Sequence, residues 1–257
     1  MTLAGAAAQT VSGAVTAAAD GEGVIVLNNT AGAASDVIFS SAIGTSSAAL
    51  RLLTHTAGNA EFDGDVFIDT ITGVATHTLN FDGDVTANTS LTLNTGAATF
   101  AGDVTSASII GAAAFAATMD GAAAQTITGD MTTNANGNGA ITVSNTGGLV
   151  TFASKIGVAG TGIGTITTAA STSTAFNDTV FAGEMNLQGN VTFGAATTLD
   201  DAGGGNGNLT LATGTAITVG TGFTSGATVI TADGNISDAG TITVNMPSDL
   251  TGGDSIV

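Results

Sequence analysis

The sequence predicts an all-β fold, a parallel β-solenoid, and three observations predict it. The first is a fixed period. Phe62-Asp63-Gly64-Asp65-Val66, Phe81-Asp82-Gly83-Asp84-Val85 and Phe100-Ala101-Gly102-Asp103-Val104 follow one another at a spacing of 19 residues, and recurrence of one apolar–Gly–acidic–apolar order marks a repeat architecture. The second is strand chemistry between the motifs: Thr, Val, Ile and Leu alternate, and Asn and Gly punctuate. The third is composition. Of 257 residues 43% are hydrophobic, many of them Ala, and only 9% are charged. Ample apolar content at low charge argues against disorder, and a core of small side chains suits stacked coils that each bury a narrow strip.

Taken in order, the segments Val24–Leu27, Leu91–Leu93, Ile141–Val143, Val191–Phe193, Leu209–Leu211, Ile217–Val219 and Ile242–Val244 place Thr or Val beside aliphatic residues in the alternation of half-buried strands. Turns are expected at Asp20-Gly-Glu-Gly23, Asn136-Gly-Asn-Gly139 and Gly205-Asn-Gly-Asn208, where Gly and Asn accept positive φ. Ala6–Ala8 and Ala112–Ala117 have helical propensity, but lone helices so short are marginal in water; they are read as tight coil sides. Phe62, Phe81 and Phe100 should stack inside the coil, with Val66, Val85 and Val104 as a second internal stack. At 19 residues per coil the chain makes about thirteen coils and a rod of about 60 Å.

A longer repeat overlies the short one. Gly5-Ala-Ala-Ala-Gln-Thr-Val-Ser-Gly13 matches Gly121-Ala-Ala-Ala-Gln-Thr-Ile-Thr-Gly129 at an offset of 116. Gly23–Thr30 matches Gly139–Thr146 at 116, Val37–Gly44 matches Val150–Gly157 at 113, Phe62–Val66 matches Phe181–Met185 at 119, and Ser90–Gly96 matches Asn208–Gly214 at 118. Insertions at turns explain the drift, since loops tolerate length changes that core strips do not. The expected organisation is a single solenoid over 1–257, with a duplicated block of about 116 residues spanning 4–119 and 120–236 and a third copy starting in 232–257. Phe181 is expected to repeat the Phe62 spine. The chain starts inside the pattern at Leu3-Ala-Gly5 and ends strand-like at Ile256-Val257, without a visible cap, so it is expected to be part of a longer solenoid or a unit that stacks end to end.

Composition narrows the function classes. Twenty acidic residues face only Arg51 and Lys155, for a formal charge of −18. Binding a nucleic acid or an anionic lipid surface needs several basic groups, which are absent. There is no Cys, so neither disulfide framework nor thiol chemistry is expected. The N-terminus lacks a basic start and long apolar run, so it does not read as a signal peptide, and no stretch has the length of a membrane-spanning helix.

Asp63, Asp65, Asp82, Asp84 and Asp103 should lie close on successive coils. Such hard oxygen donors could hold calcium, which takes six to eight of them; the competing and favoured reading is a solvated edge, because two charges at coil spacing repel by only about 0.9 kcal/mol in water. Gly203–Asn208 has the glycines of a calcium-binding nonapeptide but lacks its Asp and its nine-residue recurrence, and reads as a turn. His55 and His77 are about one coil apart and could pair on zinc, but no third ligand completes a site. Neither has a Gly-x-Ser-x-Gly partner, and without Trp or Tyr no aromatic sugar platform is available. No catalytic residues and no cofactor other than calcium are expected.

The strings Ala98-Thr-Phe-Ala-Gly-Asp-Val-Thr105, Asn206-Gly-Asn-Leu-Thr-Leu-Ala-Thr-Gly214 and Thr192-Phe-Gly194 resemble the β-helical passenger repeats of autotransporters and related bacterial surface adhesins. The resemblance implies a right-handed parallel β-helix with structural or adhesive work outside the cell. It carries no catalytic residues, and the membrane barrel that follows such passengers is not in this sequence. The expectation is a non-enzymatic, extracellular or cell-surface protein, exported by a signal outside this chain, assembling as a homo-oligomer or filament and meeting a host or cell-surface receptor. Two rivals stand beside it: a polysaccharide-acting β-helix enzyme or tail-fibre-like glycan binder, and a calcium-ordered surface-layer module.

Overall fold

The computed structural model describes residues 1–30, 36–73, 77–94, 96–112, 114–195 and 197–199, and beyond them the backbones of seven strands. The chain begins with β1 (Thr2–Gly5), β2 (Gln9–Val11), β3 (Glu22–Asn29), β4 (Asp36–Phe39), β5 (Leu50–Ala57), β6 (Asn59–Phe62), β7 (Val66–Gly73), β8 (Thr78–Phe81) and β9 (Val85–Leu93). It continues with β10 (Ala97–Phe100), β11 (Val104–Gly111), β12 (Ala116–Met119), β13 (Gln125–Thr133), β14 (Asn138–Val143), β15 (Leu149–Phe152), β16 (Ile163–Thr168), β17 (Ser173–Phe176) and β18 (Val180–Leu187). Last come β19 (Asn190–Phe193), β20 (Thr197–Leu199), β21 (Leu209–Leu211), β22 (Ala216–Val219), β23 (Phe223–Ser225), β24 (Val229–Ala232), β25 (Asn235–Asp238), β26 (Ile242–Val244) and β27 (Ser255–Ile256).

Among the described residues there is no helix. Every strand pairs in parallel with the strand one coil away, which is a β-solenoid. The expected strand segments all fall in strands, and burial alternates along them, as in the iBiB pattern of β6, β8, β10 and β12. Ala116–Met119 is a strand, because four Ala, Thr and Met positions find a partner coil on each side.

Three ladders run up the column. The first joins β2, β4, β6, β8, β10, β12, β14, β16 and β18, and stacks Phe39, Phe62, Phe81 and Phe100 with ring centroids 5.2, 4.7 and 5.3 Å apart. The second runs through Val15, Ile43, Val66, Val85, Val104 and Ile127 to β15, β17 and β19. The third runs through β1, β3, β5 and the second halves of β7, β9, β11 and β13. Register shifts between Ile68 and Thr70, and between Ser106 and Ile109, make the corner between the second and third ladders a bulged bend within one strand.

The 19-residue step holds for Phe62, Phe81, Phe100 and Met119. Elsewhere turns lengthen it: Val11 to Phe39 is 28 residues, and Met119 to Val143 is 24. The column is therefore twelve strands deep along one sheet, one fewer than thirteen, and about 50 Å long at the interstrand spacing.

The duplication is visible in local geometry. Gly44 and Gly157 both have φ 68°, each is followed by a small antiparallel bridge (Thr45 to Ala48, Val158 to Thr161), and each precedes a backbone bond of 2.7 Å, Phe67 N–H to Ile43 O and Phe181 N–H to Ile156 O. The two copies do not occupy the same faces. Phe39 lies on the first ladder, whereas Phe152 pairs with Ile127 on the second; Ile43 lies on the second, whereas Ile156 pairs with Met131 on the third. The second copy enters one face later. This corrects the alignment of Phe62 with Phe181. Phe181 is half-buried and corresponds to Phe67, while the partner of Phe62–Val66 is Phe176-Asn-Asp-Thr-Val180. Phe176 stacks between Phe152 and Phe193 at 5.1 and 5.3 Å, a second spine on another face. The start of a third copy is only partly covered: 233–234, 239–241, 245–254 and 257 lie outside the described residues, but Ile242 pairs with Phe223, as Ile127 pairs with Val104 in the second copy.

Candidate acidic site

The Phe-x-Gly-Asp-Val corner turns the chain from the first ladder to the second. Phe and Val are buried, and every Asp of the motif is exposed. Gly is required between them by the close approach of coils: a Cβ on Gly83 would meet the Gly64 carbonyl carbon at 2.6 Å, and one on Gly102 would meet the Gly83 oxygen at 2.6 Å.

The corner separates the five predicted aspartates into two groups. Asp65 Oδ1 accepts the backbone N–H of Asp84 (3.1 Å), Asp84 Oδ1 that of Asp103 (2.8 Å), and Asp103 Oδ1 that of Thr126 (2.7 Å). These three carboxylates form a side-chain-to-backbone ladder that ties coil to coil. Asp130 repeats the arrangement by accepting from the Lys155 N–H at 3.3 Å. Charge-assisted bonds of this kind satisfy corner amides that no strand can reach.

Asp63 and Asp82 point elsewhere. Together with Glu61 they offer carboxylate oxygens that all lie within 4.8 Å of one another, a geometry that could hold a metal ion. Asn80 Nδ2 donates to Asp82 at 2.9 Å. A shallow depression of about 310 Å³, lined by Asn59, Ala60, Glu61, Thr78 and Asn80, adjoins the cluster. Farther along the ladder, Asp120 has its carboxyl pushed above the ordinary range by partial burial and then by the charge of Asp82, against the pull of its own backbone N–H. Glu61 was not among the predicted residues. Its signal was present, since residues two apart on a strand share a face and Glu61 stands two before Asp63.

The histidines are neighbours, with ring centroids 6.4 Å apart and edge to face. His55 is buried, because its partner across the ladder is Gly73, which leaves room for the imidazole. Its Nε2 bonds the Gly58 carbonyl, so that nitrogen carries the hydrogen. Burial lowers its pKa below 6.5, outweighing the Gly58 bond, and His77 lowers it further. The cleft beside the pair holds only about 10 Å³, at most one water.

Gln125 and Asn145 are among the buried polar side chains that escaped sequence reasoning. Gln125 donates from Nε2 to the Phe100 and Gly102 carbonyls (2.8 and 3.0 Å) and accepts from Gly121 N–H (3.2 Å). Asn145 donates to Gln125 Oε1 and to the Ala123 carbonyl, both at 2.7 Å, and its own oxygen accepts from Gly147 and Gly148. The available signal was the recurrence of Ala-Ala-Ala-Gln and of Asn29 as Asn145 in both copies. Gly203–Asn208 lies outside the described residues. Among the described residues no helix is long and apolar enough to cross a membrane. No protein-family model, no curated protein and no solved structure matches the chain.

Proposed function

We propose that the chain is a structural and adhesive module of the bacterial cell surface, acting through shape, length and end-to-end stacking into a filament. The observation that carries this reading is the column itself: each strand pairs in parallel with the strand one coil away, so the stack has a direction and can be continued by further coils of the same kind. A column of twelve strands tied by aspartate and phenylalanine ladders is a stiff spacer, and a net charge of −18 keeps its sides apart from those of other copies. Extracellular placement and a surface receptor follow from the resemblance to adhesin repeats. Electron microscopy of the purified protein, run beside an assay for sugar release from polysaccharides, tests the reading. Filaments with no sugar release support it; sugar release supports the glycan-acting rival and defeats it.

A calcium-ordered surface-layer module is the second reading, favoured by the Glu61–Asp63–Asp82 cluster. Loss of assembly on chelation, with recovery on adding calcium, would select it. Asp65, Asp84 and Asp103 contribute less to that reading, since each already spends an oxygen on a backbone amide.

A further inference from the structure

We infer that the outward face of the first ladder, from β8 to β16, is an ice-binding surface, whose rows of threonine hydroxyls and methyls fit the regularly spaced water of an ice crystal face. The inference goes beyond the reading above and does not rest on it, because one face of a single column suffices.

The parallel register builds the rows. Thr99, Thr118, Thr142 and Thr167 stand one coil apart on one another, between Asn80 on one side and Asn186 on the other. Two residues earlier on the same strands run Ala97, Ala116, Ala140 and Thr165. Each alternates with buried neighbours, so both rows lie on the outer face. Their spacing is that of the sheet, about 4.8 Å along the column and about 6.6 Å along the strand. Oxygen atoms on a prism face of hexagonal ice repeat at nearly these two distances. The coils beneath the rows also rotate little. Phe62, Phe81 and Phe100, inside the same ladder, stack with interplanar angles of 9° and 2°, whereas strands in open sheets turn by about 20° from one to the next.

Further observations choose the occupant. None of the four threonine hydroxyls has a hydrogen-bond partner among the described residues, so each keeps a donor and acceptors for water. Both rows are uncharged from Thr78 and Asn80 to Thr165 and Thr167; Glu61 and Glu184 bound them, and Asp82 and Asp120 stand past the strand ends. In a chain of net charge −18, a neutral face of this kind matches an uncharged partner. The alanines leave a shallow trough of about 440 Å³ beside Thr78 and Phe115, room for a file of water. A dry contact with a second copy would bury the hydroxyls without partners, which is costly. Other outward rows break sooner: Thr72 and Thr92 are followed by Ile110, and Ser108 by Asp130.

The test is the ice affinity of the dilute full chain, read as partition into slowly grown ice and as thermal hysteresis, the gap between freezing and melting points. Wild type, Thr118→Lys, Thr142→Lys and Thr86→Lys are compared, each checked by circular dichroism and thermal melting. Wild type should enter the ice and open a hysteresis gap. Thr118→Lys and Thr142→Lys should keep the wild-type melting temperature, because these side chains point outward. They should lose hysteresis about ten-fold, since a charge pressed against ice gives up hydration without gaining a partner. Thr86→Lys, on the second ladder, should match wild type. Should the lysine variants fold poorly, Thr118→Ser, which keeps the hydroxyl and drops the methyl, should also reduce hysteresis. A wild type that is excluded from ice and shows no hysteresis would overturn the inference. Undiminished hysteresis in Thr118→Lys and Thr142→Lys would overturn the assignment to this face. A dimer in sedimentation that dissociates in Thr118→Lys, without ice affinity, would make a second copy the occupant and overturn the inference as well. End-to-end filaments are read separately by microscopy and stand or fall independently of these outcomes.

Discussion

At the scale of single residues, close coil spacing and burial decide the consequences of substitution. Gly83 faces the backbone of the coil below, so Gly83→Ala has no flexible neighbour to displace; it should cost about 1–3 kcal/mol in chemical denaturation. Thr197 takes the place in the second copy that Val85 holds in the first, pairs with Val180, and buries its hydroxyl without a partner. Thr197→Val keeps the shape and removes that group, and should raise stability by about 1 kcal/mol. His55 makes stability depend on pH. Above its unfolded value of 6.5 both states are neutral there and nothing is gained or lost. As pH falls below it the unfolded chain takes the proton first, because the folded pKa is depressed, and stability falls. Among the described residues, the charge that acts on it is that of His77. His55→Leu, with Leu93 on the same ladder as precedent, should remove this component. Between about pH 7.5 and about pH 5.5 the melting temperature of the wild type should fall relative to that of the variant; parallel curves would show that His55 does not titrate on unfolding.

At the scale of the element, a 19-residue spacing is enough to read the phenylalanine spine, because identical positions on identical coils must stack. It was not enough to read the second spine. An offset between copies says how far apart they are along the chain but not on which face each lands, so Phe181 was aligned where Phe176 belongs. The site was legible to a similar depth. Asp63, Asp65, Asp82, Asp84 and Asp103 are all expected close together on successive coils, but sequence does not state which oxygen meets a backbone amide. That depends on a bend that turns Asp65 along the column and leaves Asp63 beside Glu61. The polar bracket of Asn145 and Gln125 stayed hidden because buried amides look like turn residues in sequence. Asn145 makes four bonds from inside the column. Asn145→Ala should therefore cost about 1–3 kcal/mol or more, by leaving buried donors and acceptors unmatched. Thermal melts of this variant beside the wild type should show that loss, since Asn145 braces the buried Gln125.

At the scale of the whole molecule, parallel pairing gives the column a direction. Stiffness comes from ladders that repeat at every coil, and reach comes from their number. Charge opposes association between copies at −18 each, while edge pairing favours it over a few ångströms, so raising ionic strength should promote assembly by screening the former and sparing the latter. The most direct test of this account is negative-stain electron microscopy of the full chain across concentration and salt. The account predicts unbranched filaments that lengthen with both, built from columns of about 50 Å. Dispersed single columns at every concentration and salt would contradict it.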